Sequence, residues 1–226
     1  MITSPAELDL AIRMAEPPDF FELRLDRLVA SSWRSHDGAG LFDRLENKIS
    51  KLRAPLIITA RHPIEGGANR LASRQRYDLL ARFLARARYI DVELRSVPVF
   101  RSLLRLARKQ NVRRIISVHY LKSTPTPNRL RNKARAAKTE GADIFKLATR
   151  TDTPVQLTRL IDFVAAKDVD LAVSAMGIGK LGAASRVLLA CCGSVLVYVS
   201  VAAATDIEGQ MSLEQFRALA GGLLNR

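Results

Sequence analysis

Charged side chains recur in short stretches that otherwise have the composition of buried β-strands. Parallel strands covered on both faces are normally apolar throughout, and an unpaired charge is costly to bury. The polar positions occur in five predicted strands, mainly toward their C-terminal ends: Glu22 and Arg24, Arg61, Asp91 and Glu93, Ser117 and His119, and Lys146. Because the carboxyl ends of parallel strands meet on one side of an α/β barrel, the sequence predicts a shared polar cleft there.

Lys146 and His119 are the candidates for reactive chemistry in this cleft. Lys146 stands among apolar residues in the run ADIFKLA, and nearby Arg24 and Arg61 would disfavour its ammonium form. A neutral amine can form an imine with a ketone, and an imidazole such as that of His119 suits proton transfer near neutral pH. Glu65, in the loop RHPIEGG, is a candidate for holding and polarising that imidazole. The structural alternatives are that Lys146 reaches solvent, that His119 is hydrogen-bonded to a backbone carbonyl in the core, and that Glu65 is a solvated loop carboxylate.

Short β-rich runs alternate with longer amphipathic stretches along the chain, which predicts parallel strands joined by helices. Seven strands are predicted, at residues 20–26, 55–61, 89–95, 114–120, 142–148, 170–176 and 194–202. A (β/α)8 barrel needs one more strand before the first helix, where only residues 1–3 remain, so either the first strand is missing or minimal or the true start lies upstream. An open doubly wound sheet is the alternative, although no strand is followed by a dinucleotide-binding G-x-G-x-x-G motif. No low-complexity linker divides residues 1–226, which favours a single domain.

The composition indicates a globular protein that attracts anions. Lys and Arg number 36 against 22 Asp and Glu, a net charge of +14, which attracts nucleic acid, acidic membrane surfaces or small anionic substrates. Most of these cations lie on predicted outer helix faces, where charge is ordinary. No apolar stretch approaches the roughly 20 residues that span a bilayer, and the start of the chain does not read as a signal peptide. A cytoplasmic protein is expected.

Seven motifs in chain order resemble those of type I 3-dehydroquinase, the Schiff-base-forming dehydratase of the shikimate pathway. They are ELRLD, TARHPIEGG, DVEL, SVHY, FKLA, MGIGKLGAASR and EGQMS, and they extend from residue 22 to residue 212. The resemblance implies a (β/α)8 barrel, commonly a homodimer, that works without a metal or an organic cofactor. It also implies conversion of 3-dehydroquinate to 3-dehydroshikimate and water, a step of aromatic amino acid biosynthesis.

The same resemblance implies a role for each residue that matches a family motif. Lys146 forms the imine with the C3 ketone, His119 transfers the protons, and Glu65 orients His119. The other matched positions bind the substrate or support the reacting groups: Glu22, Arg24 and Arg61 for the ring hydroxyls, Arg186 for the carboxylate, Gln210 on the closing loop, and Glu93 behind the lysine and histidine.

The predicted closing loop departs from the family pattern. Asp206 replaces a serine that helps to bind the carboxylate, and Glu208 replaces a proline. Two added negative charges near an anionic substrate are expected to weaken its binding or to alter specificity. Two alternatives therefore stay open: an imine-forming lyase or aldolase with another substrate, and a catalytically silent barrel that binds nucleic acid. An aromatic content of 6% offers little stacking surface for single strands and disfavours the second.

Overall fold

The structure is a computed structural model that describes residues 1–29, 38–68, 70–203 and 208–224. The chain divides into two units. One comprises Met1–Asp91 and Pro98–Arg113, and the other comprises Val92–Val97 and Arg114–Arg226. The single domain expected from the sequence stays a prediction, and each unit is described in turn.

The first unit contains parallel strands with helices before and after them. Its strands are β1 (Phe21–Arg24), β2 (Leu56–Thr59) and β3 (Ala87–Glu93), of which the last two residues belong to the second unit. Its helices are α1 (Pro5–Arg13), the single turn α2 (Leu25–Leu28), α3 (Gly38–Ile49), α4 (Ser73–Phe83) and α5 (Val97–Lys109) from Pro98 onward. Strand β2 pairs with β1 and with β3, both in parallel. Every residue of β1 and β2 is buried, as expected for strands covered on both faces.

The strand expected ahead of α1 is reduced to one residue. Ile2 N donates to Glu22 O at 2.8 Å, and Arg24 N donates to Ile2 O at 3.0 Å, which is a parallel bridge opposite Leu23. Helix α1 then begins at once, because the Ser4 hydroxyl accepts from a backbone N–H of its first turn and so satisfies a donor that the helix leaves unpaired. The predicted minimal first strand is therefore present as a single bridge.

The second unit repeats the alternation of parallel strands and helices. Its strands are β4 (Arg113–Tyr120) from Arg114 onward, β5 (Ile144–Arg150) and β6 (Ala172–Ile178). Its helices are α6 (Pro127–Thr139), α7 (Pro154–Ala165), α8 (Gly182–Cys191) and α9 (Leu213–Leu224). Strand β5 pairs in parallel with β4 and with β6. In the described ranges, no helix has the length and apolarity that crossing a bilayer requires.

The seventh predicted strand, at residues 194–202, is wrong as a regular strand. The segment bonds to β6 at its start, where Val195 N donates to Val173 O at 2.9 Å. Beyond that pair, side-chain hydroxyls replace the ladder: Ser174 Oγ donates to Leu196 O at 2.8 Å, and Ala175 N donates to Ser194 Oγ at 3.0 Å. Because serine hydroxyls take these positions, the chain runs beside β6 without regular strand pairing.

The first predicted strand is shorter than the pattern indicated. The sequence predicts residues 20–26, whereas β1 ends at Arg24 and α2 begins at Leu25. Asp26 therefore lies on a helical turn rather than on the face that Glu22 and Arg24 share. This turn brings its carboxylate back onto the Arg24 guanidinium, as described below.

Candidate active site

Lys146 lies near the middle of β5 and is buried. The residue is 3% exposed, and its register partners are Ser117 of β4 and Ser174 of β6. Partners in a parallel ladder project from the same face of the sheet, because successive side chains alternate between faces. The amine therefore shares its face with two buried hydroxyl-bearing residues and is shielded from bulk water.

His119 projects from the same face on the neighbouring strand. It pairs with Ala148, two residues beyond Lys146, which displaces the imidazole by about 6.6 Å along the strand direction. His119 is half-buried. An imidazole one pleat away from a buried amine is well placed to transfer protons for a ligand bonded to that amine.

Glu93, the last residue of β3, is fully buried within the second unit. Its Oε2 accepts from Ser96 Oγ at 2.9 Å, and its residue is 0% exposed. A carboxylate this deeply buried requires hydrogen bonds to offset the loss of water. The supporting role that the family resemblance implies for Glu93 stays a prediction.

Tyr198 is the contact of Lys146 that sequence reasoning missed. Nζ of Lys146 lies 3.6 Å from the centroid of the tyrosine ring, well inside the range in which an aromatic face attracts a cation. Tyr198 is buried and lies in the segment that was taken for a strand. An aromatic residue in an apolar strand has no feature that marks it out, so no signal in the sequence could have identified this contact.

Arg186 of α8 is held by backbone carbonyls. Its Nε donates to Tyr198 O at 2.8 Å, and Nη1 donates to the carbonyls of Gly177, Gly182 and Gly209 at 2.9, 2.8 and 2.8 Å. Burial lowers the pKa of Arg186 to about 10, so the guanidinium stays charged at neutral pH. Within the described residues no carboxylate offsets that charge, and a buried cation of this kind favours an anionic ligand.

Arg24, which the sequence assigned to the substrate hydroxyls, is paired with a carboxylate inside the first unit. Nε and Nη2 of Arg24 donate to Oδ1 and Oδ2 of Asp26 at 2.9 and 2.8 Å. Asp26 Oδ2 also accepts from Ala68 N at 2.9 Å, and Arg24 Nη2 donates to Gly66 O at 3.3 Å. This bidentate pair fixes the guanidinium and neutralises its charge.

A second buried pair joins the segment just after β2 to β3 in the same unit. Nη2 and Nη1 of Arg61 donate to the two carboxylate oxygens of Asp91 at 2.9 and 3.3 Å, and both residues are almost fully buried. Nearby in the chain, Glu22 Oε1 accepts from Thr59 Oγ1 at 2.8 Å. Two of the arginines expected to crowd the reactive amine with positive charge are therefore matched by acids.

Glu65 ends a single 3-10 turn, Pro63–Glu65. His62 caps this turn, since its Nδ1 accepts from Ile64 N at 3.1 Å. Gly67 closes the loop so tightly that a Cβ atom there would lie 2.1 Å from Arg61 O. The half-buried Glu65 carboxylate is thus held on a short turn that only glycine lets close.

Glu208 of the predicted closing loop is paired with a cation. Its Oε2 lies 2.9 Å from Nη1 of Arg150, whose Nε donates to Asp152 Oδ2 at 2.7 Å. Gln210 follows two residues later and is half-buried. The negative charge of Glu208, expected to oppose an anionic substrate, is therefore offset in part by an arginine that it shares with Asp152. Asp206, the other expected source of repulsion, lies outside the described residues.

The described ranges hold no cluster of three or more His, Cys, Asp or Glu side chains arranged to bind a metal ion.

Comparisons with known proteins agree on one family. A family model described as type I 3-dehydroquinase matches residues 1–221. The 3-dehydroquinate dehydratase of Pyrococcus abyssi is 29% identical over 202 residues, which cover 89% of this chain and 86% of that protein. The enzyme of the same name from Pyrobaculum aerophilum is 30% identical over 218 residues, covering 96% of this chain and 67% of that protein.

Solved structures show the same fold. The type I 3-dehydroquinate dehydratase of Clostridium difficile superposes with a TM-score of 0.84 at 20% identity, covering 99% of this chain and 89% of that one. The 3-dehydroquinate dehydratase of Aquifex aeolicus gives a TM-score of 0.80 at 24% identity, covering 99% and 97%. The α/β barrel class expected from the sequence is the fold of these structures. The described part of this chain has six regular strands.

Proposed function

Because this chain belongs to the type I 3-dehydroquinase family, we propose that it removes water from 3-dehydroquinate to give 3-dehydroshikimate. The observation that carries the proposal is the placement of a buried lysine, Lys146, on the same sheet face as His119 one pleat away. An amine and an imidazole in this relation supply the nucleophile and the proton carrier that an imine mechanism needs.

The proposed reaction begins at Lys146. Its neutral amine adds to the C3 ketone, and loss of water gives a protonated imine. The imine nitrogen draws electrons from C2, so His119 can remove a C2 proton to form an enamine. The enamine then expels the C1 hydroxyl, which leaves as water with the proton from His119. Hydrolysis of the remaining imine releases the conjugated ketone and restores the amine, so the net change is the loss of one water from the substrate.

Arg186 is proposed to bind the substrate carboxylate. Its guanidinium is charged, buried and held by four backbone carbonyls, so its position is fixed before the anion arrives. A guanidinium whose orientation is fixed in advance binds an anion more tightly, because less conformational freedom is lost on binding.

The other site residues keep the roles that the family resemblance implies. Glu65 orients His119, and Glu93 supports the reacting groups from behind. The remaining matched residues contact the substrate: Glu22, Arg24 and Arg61 at the ring hydroxyls and Gln210 on the closing loop. A homodimer and a cytoplasmic location complete the proposal, and light scattering at about twice the 25.0 kDa chain mass would support the dimer.

Reductive trapping tests the proposal directly. The protein is mixed with 3-dehydroquinate and borohydride, and peptide mass spectrometry locates the reduced adduct, while product formation is followed by absorbance of its conjugated enone. We expect the adduct on the peptide that contains Lys146. Lys138→Ala is the matched control, because Lys138 is a surface lysine paired with Asp170, and this variant should trap and turn over normally. Folded protein that neither traps the substrate nor forms product would refute the proposal.

A further inference from the structure

We propose that the face of the Tyr198 ring stabilises the cationic forms of the Lys146 nitrogen, and so makes Tyr198 a specific part of the imine-forming site. The ring centroid lies 3.6 Å from Nζ. At this distance the negative face of the ring lies directly against the atom that becomes the imine nitrogen. The part of the inference that concerns the imine rests on the proposed function. The part that concerns the free lysine amine does not depend on that function.

The backbone around the ring is held by two polar side chains of the second unit. Ser174, the register partner of Lys146, donates its hydroxyl to Leu196 O at 2.8 Å, two residues before Tyr198. On the other side, Arg186 Nε donates to the carbonyl of Tyr198 at 2.8 Å. Strand β6, which pairs with the strand that carries the amine, and the helix that carries the arginine therefore both hold the backbone around the aromatic residue.

The chemistry of the nitrogen explains what the ring does. The nitrogen is positively charged as the ammonium and again as the protonated imine, whereas it is neutral as the free amine and as the carbinolamine between them. A ring face that attracts cations favours the two charged forms. It therefore makes the first deprotonation harder and makes formation of the protonated imine, with departure of the carbinolamine oxygen as water, more favourable.

The second unit contains other ionisable groups of the candidate site. His119 lies on the same face of β4, Arg186 is bonded to the tyrosine carbonyl, and Glu93 is buried at the end of β3. Neighbouring β6 presents Ser174 opposite Lys146 and Met176 opposite Ala148, neither of which is charged. All of these groups are unchanged when only the ring of Tyr198 is replaced, so the comparison below isolates the ring.

The experiment titrates Lys146 without substrate. Methyl acetimidate reacts with neutral amines, and peptide mass spectrometry gives the rate at Lys146 as a function of pH, with Lys48 as the internal reference. Tyr198→Phe keeps the ring and removes the hydroxyl, whereas Tyr198→Leu removes the ring but keeps enough bulk to limit water entry. We expect Tyr198→Phe to titrate like the parent, and Tyr198→Leu to react with a midpoint lower by about one pH unit.

Two results would overturn the inference: an unchanged midpoint in Tyr198→Leu, or an equal shift in Tyr198→Phe, which would assign the effect to the hydroxyl. If Tyr198→Leu lacks the circular dichroism of the folded protein, Tyr198→Met carries the same expectation. Ser174→Ala, which removes the hydroxyl that holds Leu196, should shift the midpoint in the same direction by less.

A second measurement separates this inference from the proposed function. With saturating 3-dehydroquinate and borohydride, Tyr198→Leu should trap a smaller fraction of Lys146 as the reduced adduct than the parent and Tyr198→Phe do. If the parent protein traps no adduct but the methyl acetimidate midpoints shift as expected, the function is wrong while the role of the ring stands. If the parent traps the adduct and the midpoints do not move, the ring inference alone fails.

Discussion

Nη1 of Arg150 and Oε2 of Glu208 lie 2.9 Å apart, so that the last residue of β5 is joined to the residue two positions before Gln210. The same stretch is held through its backbone, since Gly179 N donates to Glu208 O at 3.0 Å. Gly209 follows with φ +75°, and a Cβ there would lie 2.1 Å from Gly179 O. The ion pair thus belongs to a tightly packed anchor immediately before Gln210.

Replacement of Glu208 by Gln should weaken substrate binding rather than strengthen it. Loss of the partly exposed pair with Arg150 should loosen the chain just before Gln210 by a small amount, so KM for 3-dehydroquinate should rise up to about fivefold with kcat nearly unchanged. Steady-state kinetics measures the change, and Asp78→Asn, which alters an exposed pair on α4, is the control. A KM below that of the parent would show that Glu208 repels the substrate, as the sequence alone suggested.

Removal of the two reacting groups should have different consequences. Lys146→Ala should abolish both turnover and borohydride trapping, because no other amine occupies its position. His119→Ala should lose most turnover yet still bind ligand and form some adduct, because the amine remains. Mass spectrometry and isothermal titration distinguish these outcomes. Undiminished turnover in Lys146→Ala would exclude an imine mechanism.

Replacement of Asp91 by Ala should destabilise the fold strongly. It leaves the buried guanidinium of Arg61 without its carboxylate, and breaking a buried pair costs about 3–5 kcal/mol. Urea unfolding measures the free energy, with Asp78→Ala as control, since its exposed pair with Arg74 is worth at most about 1 kcal/mol. Equal losses in the free energy of unfolding of the two variants would contradict a strongly stabilising role for the buried pair of Arg61 and Asp91. If Asp91→Ala does not fold, Asp91→Asn gives the same comparison.

The carboxylate of Asp152 should contribute to stability in a pH-dependent way. The hydrogen bond from Arg150, followed by that from the backbone of Lys180, lowers the pKa of Asp152 below its ordinary 3.8. A depressed pKa in the folded state means that the stabilisation is present above the unfolded value and is lost as pH falls through the folded one. Asp152→Asn should therefore be less stable than the parent at pH 7, and the difference should shrink below pH 3.8. Urea titrations at several pH values test this, and a gap that stays constant into acid would refute it.

The sequence identified the family and the residues of the proposed chemistry, and the match over residues 1–221 confirms the family. It could do so because side chains alternate along a strand, so a lysine or histidine within an apolar run is conspicuous whatever lies around it. Six of the seven predicted strands were placed for the same reason. The exception, residues 194–202, has the right composition, but serine hydroxyls of β6 and of the segment itself take the place of its ladder.

What only the tertiary structure decided is which groups meet. Arg61 and Asp91 are 30 residues apart, and Arg150 and Glu208 are 58 apart, so no local pattern joins them. The contact between Tyr198 and Lys146 likewise depends on how an irregular segment is tied beside a strand. Local alternation fixes which side of the sheet a side chain faces, but its electrostatic environment depends on partners that only folding brings together. The sequence therefore determined the groups that are proposed to react, and the three-dimensional packing determined which charged partners surround them.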